Sequence, residues 1–198
     1  MTASTATRDR ILDAAMHLFS ERGYEGTSVA QIEAAAGLAP GAGGIYHHFR
    51  TKEDVLAAGI RRHLDRLAAL RDIRQLLTGL GDLRSELTLT ARYVLAELDQ
   101  EGELLQILAA EARARPQLAR PAADQLITAT YVEFAAWIRQ QSSGQMSAGQ
   151  ADVIAAAGLG ALVSSRILRL LGMTTAAVDD QALVPVWVDM MTVLIGEG

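Results

Sequence analysis

A chain of 198 residues, half of them hydrophobic, can hold a small headpiece joined to a larger core and is too apolar for wholesale disorder. It has no cysteine, which excludes disulfides, cysteine-based zinc sites and thiol catalysis. Its net charge of −5 argues against a generic polyanion binder, because affinity for phosphates comes from Lys and Arg.

The charge is uneven. Residues 1–63 carry seven basic and seven acidic side chains with all four histidines, whereas residues 64–198 carry eleven basic and sixteen acidic. A near-neutral N-terminal segment can bind DNA if its few cations meet phosphates. The polar start, Met1 to Thr7, is not followed by the apolar core of a signal peptide, so a cytoplasmic location is expected. The longest uncharged apolar run, thirteen residues between Asp152 and Arg166, falls short of the roughly eighteen a bilayer span requires. It reads as a buried helix, with no membrane partner.

In chain order, helical periodicity is visible almost everywhere and strand alternation nowhere. The first helix runs from about Arg8 to Arg22, with Ile11, Ala15 and Phe19 on one stripe and Gly23 as its stop. Ser28 opens a second, with Gln31 in capping-box spacing; Val29, Ile32 and Ala36 form its buried face and Gly37 ends it. A third short helical segment spans about Pro40 to Phe49. Thr51 caps a long fourth helix, with Glu53 and Asp54 in its first turn where the helix dipole favours them. Beyond Gly79-Leu80-Gly81, helices are expected at about 83–100, 103–115, 117–141, 148–171 and 180–195.

Two short helices joined by a glycine turn, inside a three-helix unit, form the helix-turn-helix pattern that places its second helix in the major groove. Spacing alone fits a generic three-helix packing unit almost as well. The segment Gly37-Leu38-Ala39-Pro40-Gly41-Ala42-Gly43-Gly44-Ile45-Tyr46-His47-His48-Phe49 tips the balance, being glycine-rich and polar where a core helix would be apolar. Glycines bring backbone close to a partner, and a helix start offers free N–H groups to phosphate. Tyr46, His47, His48, Arg50 and Lys52 then supply several donors within seven residues, a cluster suited to phosphates that fix register without reading sequence.

Over about residues 8–63 the chain resembles the TetR/AcrR family of bacterial transcriptional regulators. The resemblance is carried by Arg10-Ile11-Leu12-Asp13-Ala14-Ala15, Leu18-Phe19-Ser20-Glu21-Arg22-Gly23-Tyr24, Thr27-Ser28-Val29, Ile32, Ala36-Gly37, Ile45-Tyr46-His47-His48-Phe49 and Thr51-Lys52-Glu53. It implies that Thr27 and Ser28 meet phosphate at the start of the second helix. Pro40, Gly41, Ala42 and Gly44 would lie in the recognition helix, Tyr46, His47 and His48 would line its end, and Lys52 would hold a further phosphate. Tyr24 and Phe49 would be packing residues. Tyr46 stands nine residues after Gly37, where the family usually has seven, and the extra length falls among glycines that each cost a helix about 1 kcal/mol relative to alanine. With few side chains to reach base edges, backbone contacts and DNA shape are expected to dominate.

The resemblance fades after about Arg62. The expected organisation is all-α: a helix-turn-helix headpiece over 1–50, a connecting helix over 51–71, and a helical ligand-binding and dimerisation domain over 72–198. In the helix at 148–171, small side chains fill two stripes, Ala157, Ala161, Ser164 and Leu168 on one, Ile154, Gly158, Leu162 and Ser165 on the other. The last helix carries Leu183, Trp187, Met190 and Leu194 beside Val184, Val188, Met191 and Ile195. The resemblance implies that these two helices pair with their copies in a homodimer, with Ala157, Ala161, Ser164, Leu168, Trp187 and Met191 at the interface. An ordinary monomeric helical core is the competing explanation of such wide apolar faces. The middle helices offer Tyr93, Glu97, Glu111, Thr128, Tyr131, Phe134 and Trp137, an apolar surface with scattered polar groups of the sort that lines small-molecule pockets.

An enzyme is disfavoured. Gly41-Ala42-Gly43-Gly44 lacks the following Gly-Lys-Ser/Thr of a phosphate loop, and adjacent His47 and His48 point to different helix faces. No cofactor or metal is expected. The expected partners are a double-stranded DNA operator, a second copy of the chain, and a small apolar effector that releases a repressor from its operator. The rival is an effector-free helical DNA-binding or protein-interaction module.

Overall fold

The computed structural model describes residues 3–76, 79, 81–142, 146–170 and 179–196, with side chains left aside at 3–4, 70–76 and 168–170. All regular structure among the described residues is helical. The helices are α1 (Ala3–Arg22), α2 (Val29–Ala35), a 3₁₀ turn (Gly44–His47), α3 (Lys52–Leu76), α4 (Leu83–Gln100), α5 (Gly102–Ala114), α6 (Pro116–Ala123), a π-helical turn (Asp124–Thr128), α7 (Ala129–Gln141), α8 (Ala148–Leu170) and α9 (Asp180–Gly196).

The boundaries have local causes. Gly23 leaves α1 at φ 71° while its N–H donates to Phe19 O at 3.0 Å, the left-handed exit that glycine makes cheaply. Ser28 caps α2 with the reciprocal box: its hydroxyl accepts from Gln31 N and its own N–H donates to Gln31 Oε1. Thr51 and Asp54 exchange the same pair of bonds at the head of α3, at 3.0 Å each. Asp82 caps α4 and Ser147 caps α8.

The chain divides into two compact units, and they are not consecutive segments. One comprises residues 1–69 with 103–124, the other 70–102 with 125–198. The sequence suggested divisions at 1–50, 51–71 and 72–198; by compactness the segment 103–124 groups with residues 1–69. The first unit buries Ile11, Leu12, Met16 and Phe19 of α1, Ile32 of α2, Ile45, Val55 and Leu56, together with Leu104 and Ile107 of α5.

The second unit is built on α4, α7, α8 and α9 around Leu87, Phe134, Ile138, Leu162, Trp187 and Met191. α8 and α9 approach closely at Gly158, where an added Cβ would stand 2.7 Å from Met191 Sδ. Trp187 lies in the same crossing, its indole N–H donating to Gly158 O at 2.7 Å. Arg166 is buried and clamped between Asp99 and Asp180; the two carboxylates push its already high pKa further up.

The expected dimer residues therefore separate. Trp187 and Met191 are 2% and 0% exposed and belong to the core of their own chain, not to a surface. The apolar side chains that α9 leaves in the open are Val186, Met190, Val193 and Leu194. On α8, Ala157 and Ser164 are exposed and Ala161 is half-buried, while the side chain of Leu168 lies outside the described residues. The expected pocket residues scatter as well. Glu111 is buried in the first unit, Phe134 is a core residue of the second, and Thr128 is exposed. Trp137 stacks on Phe134 at 5.7 Å and donates to Glu86 Oε2. Tyr93, Glu97 and Tyr131 are half-buried.

Candidate nucleic-acid interface

The headpiece turns on two junctions, one closed and one open. The closed junction joins α1 to α2. Thr27 is 1% exposed, and its hydroxyl donates to Leu18 O at 3.1 Å and Gly23 O at 2.9 Å. As arranged, that hydroxyl is consumed inside the fold, which differs from the phosphate contact expected of it. A residue closing a turn onto a helix end buries its polar atom only when paired, and the carbonyls of Leu18 and the Gly23 stop provide the acceptors.

Lys52 serves the same junction. Its ammonium donates to Tyr24 O at 2.7 Å and Thr27 O at 2.8 Å and sits 4.0 Å from the centre of the Tyr24 ring. In this arrangement the only lysine in the chain staples the head of α3 to the α1–α2 turn, where a hand on DNA was expected. Arg115, from the α5–α6 link, lies 3.7 Å from the same ring and pairs with Glu25 and with Glu111 at 2.6 Å. Glu111 accepts in addition from Tyr24 N. The Arg115 guanidinium holds the Glu25 carboxyl below the usual carboxylate range, and burial raises the Tyr24 phenol.

The open junction is the glycine-rich segment. The expected helix from Pro40 to Phe49 is shorter than its sequence: Gly41 and Gly43 both adopt φ 75°, the left-handed region that breaks a helix, so only the 3₁₀ turn Gly44–His47 forms. Pro40, Gly41, Ala42, Tyr46 and His47 are exposed, Gly44 and His48 half-buried. Tyr46 is 56% exposed, and Arg50 is exposed beside it. Ser28 is exposed too, its hydroxyl engaged as the α2 cap. The structure thus brings Pro40, Ala42, Tyr46 and His47 onto one exposed stretch and withdraws Thr27 and Lys52 from it.

One residue that shapes this stretch escaped sequence reading. Glu33 of α2 is 0% exposed. Its Oε2 accepts from Gly41 N at 2.7 Å and its Oε1 from Ile45 N at 3.1 Å. The N–H of Gly41, which the glycine pattern offered to a phosphate, is already taken. The signal was present: Glu33 lies one turn after Val29 and next to Ile32, a charge on the buried face just ahead of a glycine-rich run.

Comparison with known proteins converges on the same segment. Residues 11–58 match the family model for bacterial regulatory proteins of the tetR family. Over 64 residues the chain is 42% identical to the transcriptional repressor AcnR of Corynebacterium glutamicum, covering 32% of this chain and 33% of that protein. Over 78 residues it is 37% identical to the transcriptional repressor Rv1474c of Mycobacterium tuberculosis, covering 39% and 41%. The matched stretch thus spans well under half the length of these relatives. In fold, a chain from Mesorhizobium loti assigned to the TetR family superposes with a TM-score of 0.72 at 21% identity over 98% of both chains. A transcriptional regulator from Rhodococcus gives 0.66 at 23% identity, covering 93% of this chain and 95% of the other. These two likenesses are of fold.

Proposed function

Starting from a headpiece whose residues 11–58 match the family model for bacterial regulatory proteins of the tetR family, we propose that this chain is a homodimeric DNA-binding transcriptional regulator of that kind, a repressor released from a palindromic operator by a small apolar effector. The observation that carries the reading is the open junction: a family helix-turn-helix whose recognition segment, residues 39–47, is exposed except for half-buried Gly43 and Gly44 and buried Ile45. Tyr46, His47 and Arg50 supply the donors to phosphate, and the exposed backbone around Pro40 and Ala42 lies against the major-groove edge.

The exposed apolar side chains of α9, Val186, Met190, Val193 and Leu194, with Val153 and Ile167 of α8, support pairing with a second copy, since a two-fold dimer places the same patch on itself. Two headpieces then address half-sites about 34–36 Å apart or a multiple of that. The effector acts through the second unit, which holds half-buried Tyr93, Glu97 and Tyr131. Its differential affinity for the two dimer states limits how far it can shift operator binding. α3 is the route for that coupling, being one unbroken helix from Lys52 to Leu76.

The test is selection of duplexes from a genomic DNA pool by the purified protein, followed by fluorescence polarisation at two salt concentrations. Enrichment of a palindrome bound by two chains is the expected result. Uniform, salt-sensitive binding to every duplex would sink the regulator reading.

A further inference from the structure

Glu33 does more than fill space, and its geometry has a functional consequence that rests on the DNA-binding reading above. We infer that Glu33 is the positioning residue of the recognition segment: its carboxylate occupies the anion-attracting concavity of the glycine turn and sets that turn before DNA arrives. The residue grips the segment at three points. Its carbonyl accepts from Leu38 N at 2.8 Å, Oε2 from Gly41 N at 2.7 Å and Oε1 from Ile45 N at 3.1 Å. Those points bracket the two left-handed glycines, Gly41 and Gly43.

Backbone N–H groups converging around a left-handed residue form a concavity that binds anions. In a DNA-binding turn the default occupant of such a concavity is a phosphate. Here the occupant is internal. Glu33 is fully buried and among the described residues pairs with no cation, so the N–H groups of the turn stabilise its charge, as burial demands. A turn that would otherwise sample many conformations, with three glycines in four residues, is ordered in the free protein. Less conformational freedom is then lost on binding, and the gain falls on the site that fits the fixed turn rather than on DNA in general.

The experiment uses the full chain and two readouts. Amide hydrogen exchange by NMR on the wild type alone should show Gly41 and Ile45 protected by at least roughly tenfold over an unstructured amide. Glu33→Ala should release both, and Glu33→Gln, which keeps one acceptor oxygen, should release one. Fluorescence polarisation then compares the selected operator with a scrambled duplex. For Glu33→Gln the ratio of the two affinities should fall roughly tenfold or more, with scrambled-duplex affinity and its salt slope unchanged. Unprotected Gly41 and Ile45 amides in the wild type would overturn the inference, and so would an unchanged affinity ratio in a folded Glu33→Gln. A variant that does not fold leaves the wild-type exchange decisive. Protected amides in a protein that discriminates no duplex would keep the pinned turn and discard the regulator reading instead.

Discussion

In the unit formed by residues 1–69 and 103–124 a charged clasp on the turn after α1 is laid over an apolar core, whereas in the unit formed by 70–102 and 125–198 the crossing of α8 and α9 closes mainly on apolar bulk. Tyr24 shows the first mode, with Lys52 and Arg115 against its ring and Glu111 on its backbone N–H. Trp187 shows the second, stacked with Phe134 at 6.2 Å and buried among Val184, Val188 and Met191. Charge-assisted hydrogen bonds are directional, so they fix the angle of a turn. Apolar burial is roughly proportional to area and indifferent to direction. The contrast suits the proposed division of labour, since a recognition segment must be aimed while a dimerisation body must be stable.

The largest break in that comparison comes from the apolar side. Trp187→Ala removes a fully buried ring and its hydrogen bond to Gly158 O, and should cost about 3–5 kcal/mol in urea denaturation. A loss near zero would mean that the second unit does not rest on this crossing. Next is Arg115→Ala, which leaves Glu111 without its cation at a side-chain exposure of 9%. The expected cost is about 2 kcal/mol, below that of a wholly enclosed pair because Arg115 keeps some access to water. It should be smaller at high salt if Glu25 contributes through space.

Lys52→Ala sharpens the distinction further. As a staple on Tyr24 O and Thr27 O, Lys52 should contribute about 1–2 kcal/mol to stability without any DNA present. Melting of the variant against the wild type, both without DNA, reads that loss. A lysine serving phosphate alone would leave the melt where it was.

The smallest effect is a pair of histidines that titrate in opposite directions. The hydrogen bond to Glu103, aided by Glu21, raises His17, whereas burial, aided by Arg66 and Arg62, lowers His63. His17 thus adds stability below the ordinary histidine value that is lost as pH rises through its raised pKa. His63 adds stability above that value that is lost as pH falls toward its lowered pKa. Because His17 is mostly exposed, its share is well under about 1 kcal/mol. An NMR titration should place His17 above and His63 below the free imidazole; both on one side would contradict the arrangement.

Local rules carried the headpiece a long way. The Ser28–Gln31 box and the Gly23 and Gly37 stops, at φ 71° and 72°, follow from chemistry within four residues. The recognition segment departed from its expected helix because Gly41 and Gly43 are left-handed, which composition permits but does not compel. Thr27 read as a phosphate donor through the family resemblance, and Lys52 through that resemblance and its place in a cluster of donors; each finds its acceptors on α1 or the turn after it, a tertiary fact. On α9 both apolar stripes were visible, yet only packing decides that Val184, Trp187, Val188 and Met191 face inward while Val186, Met190, Val193 and Leu194 do not.

The interleaving of the two units bears on how the protein is made. The chain leaves the first unit after residue 69, returns at 103 and leaves again after 124. A nascent chain emerges N-terminus first, so a helix-turn-helix freshly out of the ribosome still lacks the Glu103 that holds His17, the Glu111 that meets Tyr24 and the Arg115 that pairs with Glu25. Its aim is completed only once Arg115 has been synthesised, and a gene truncated at residue 58, the end of the family match, would encode a headpiece without these clasps.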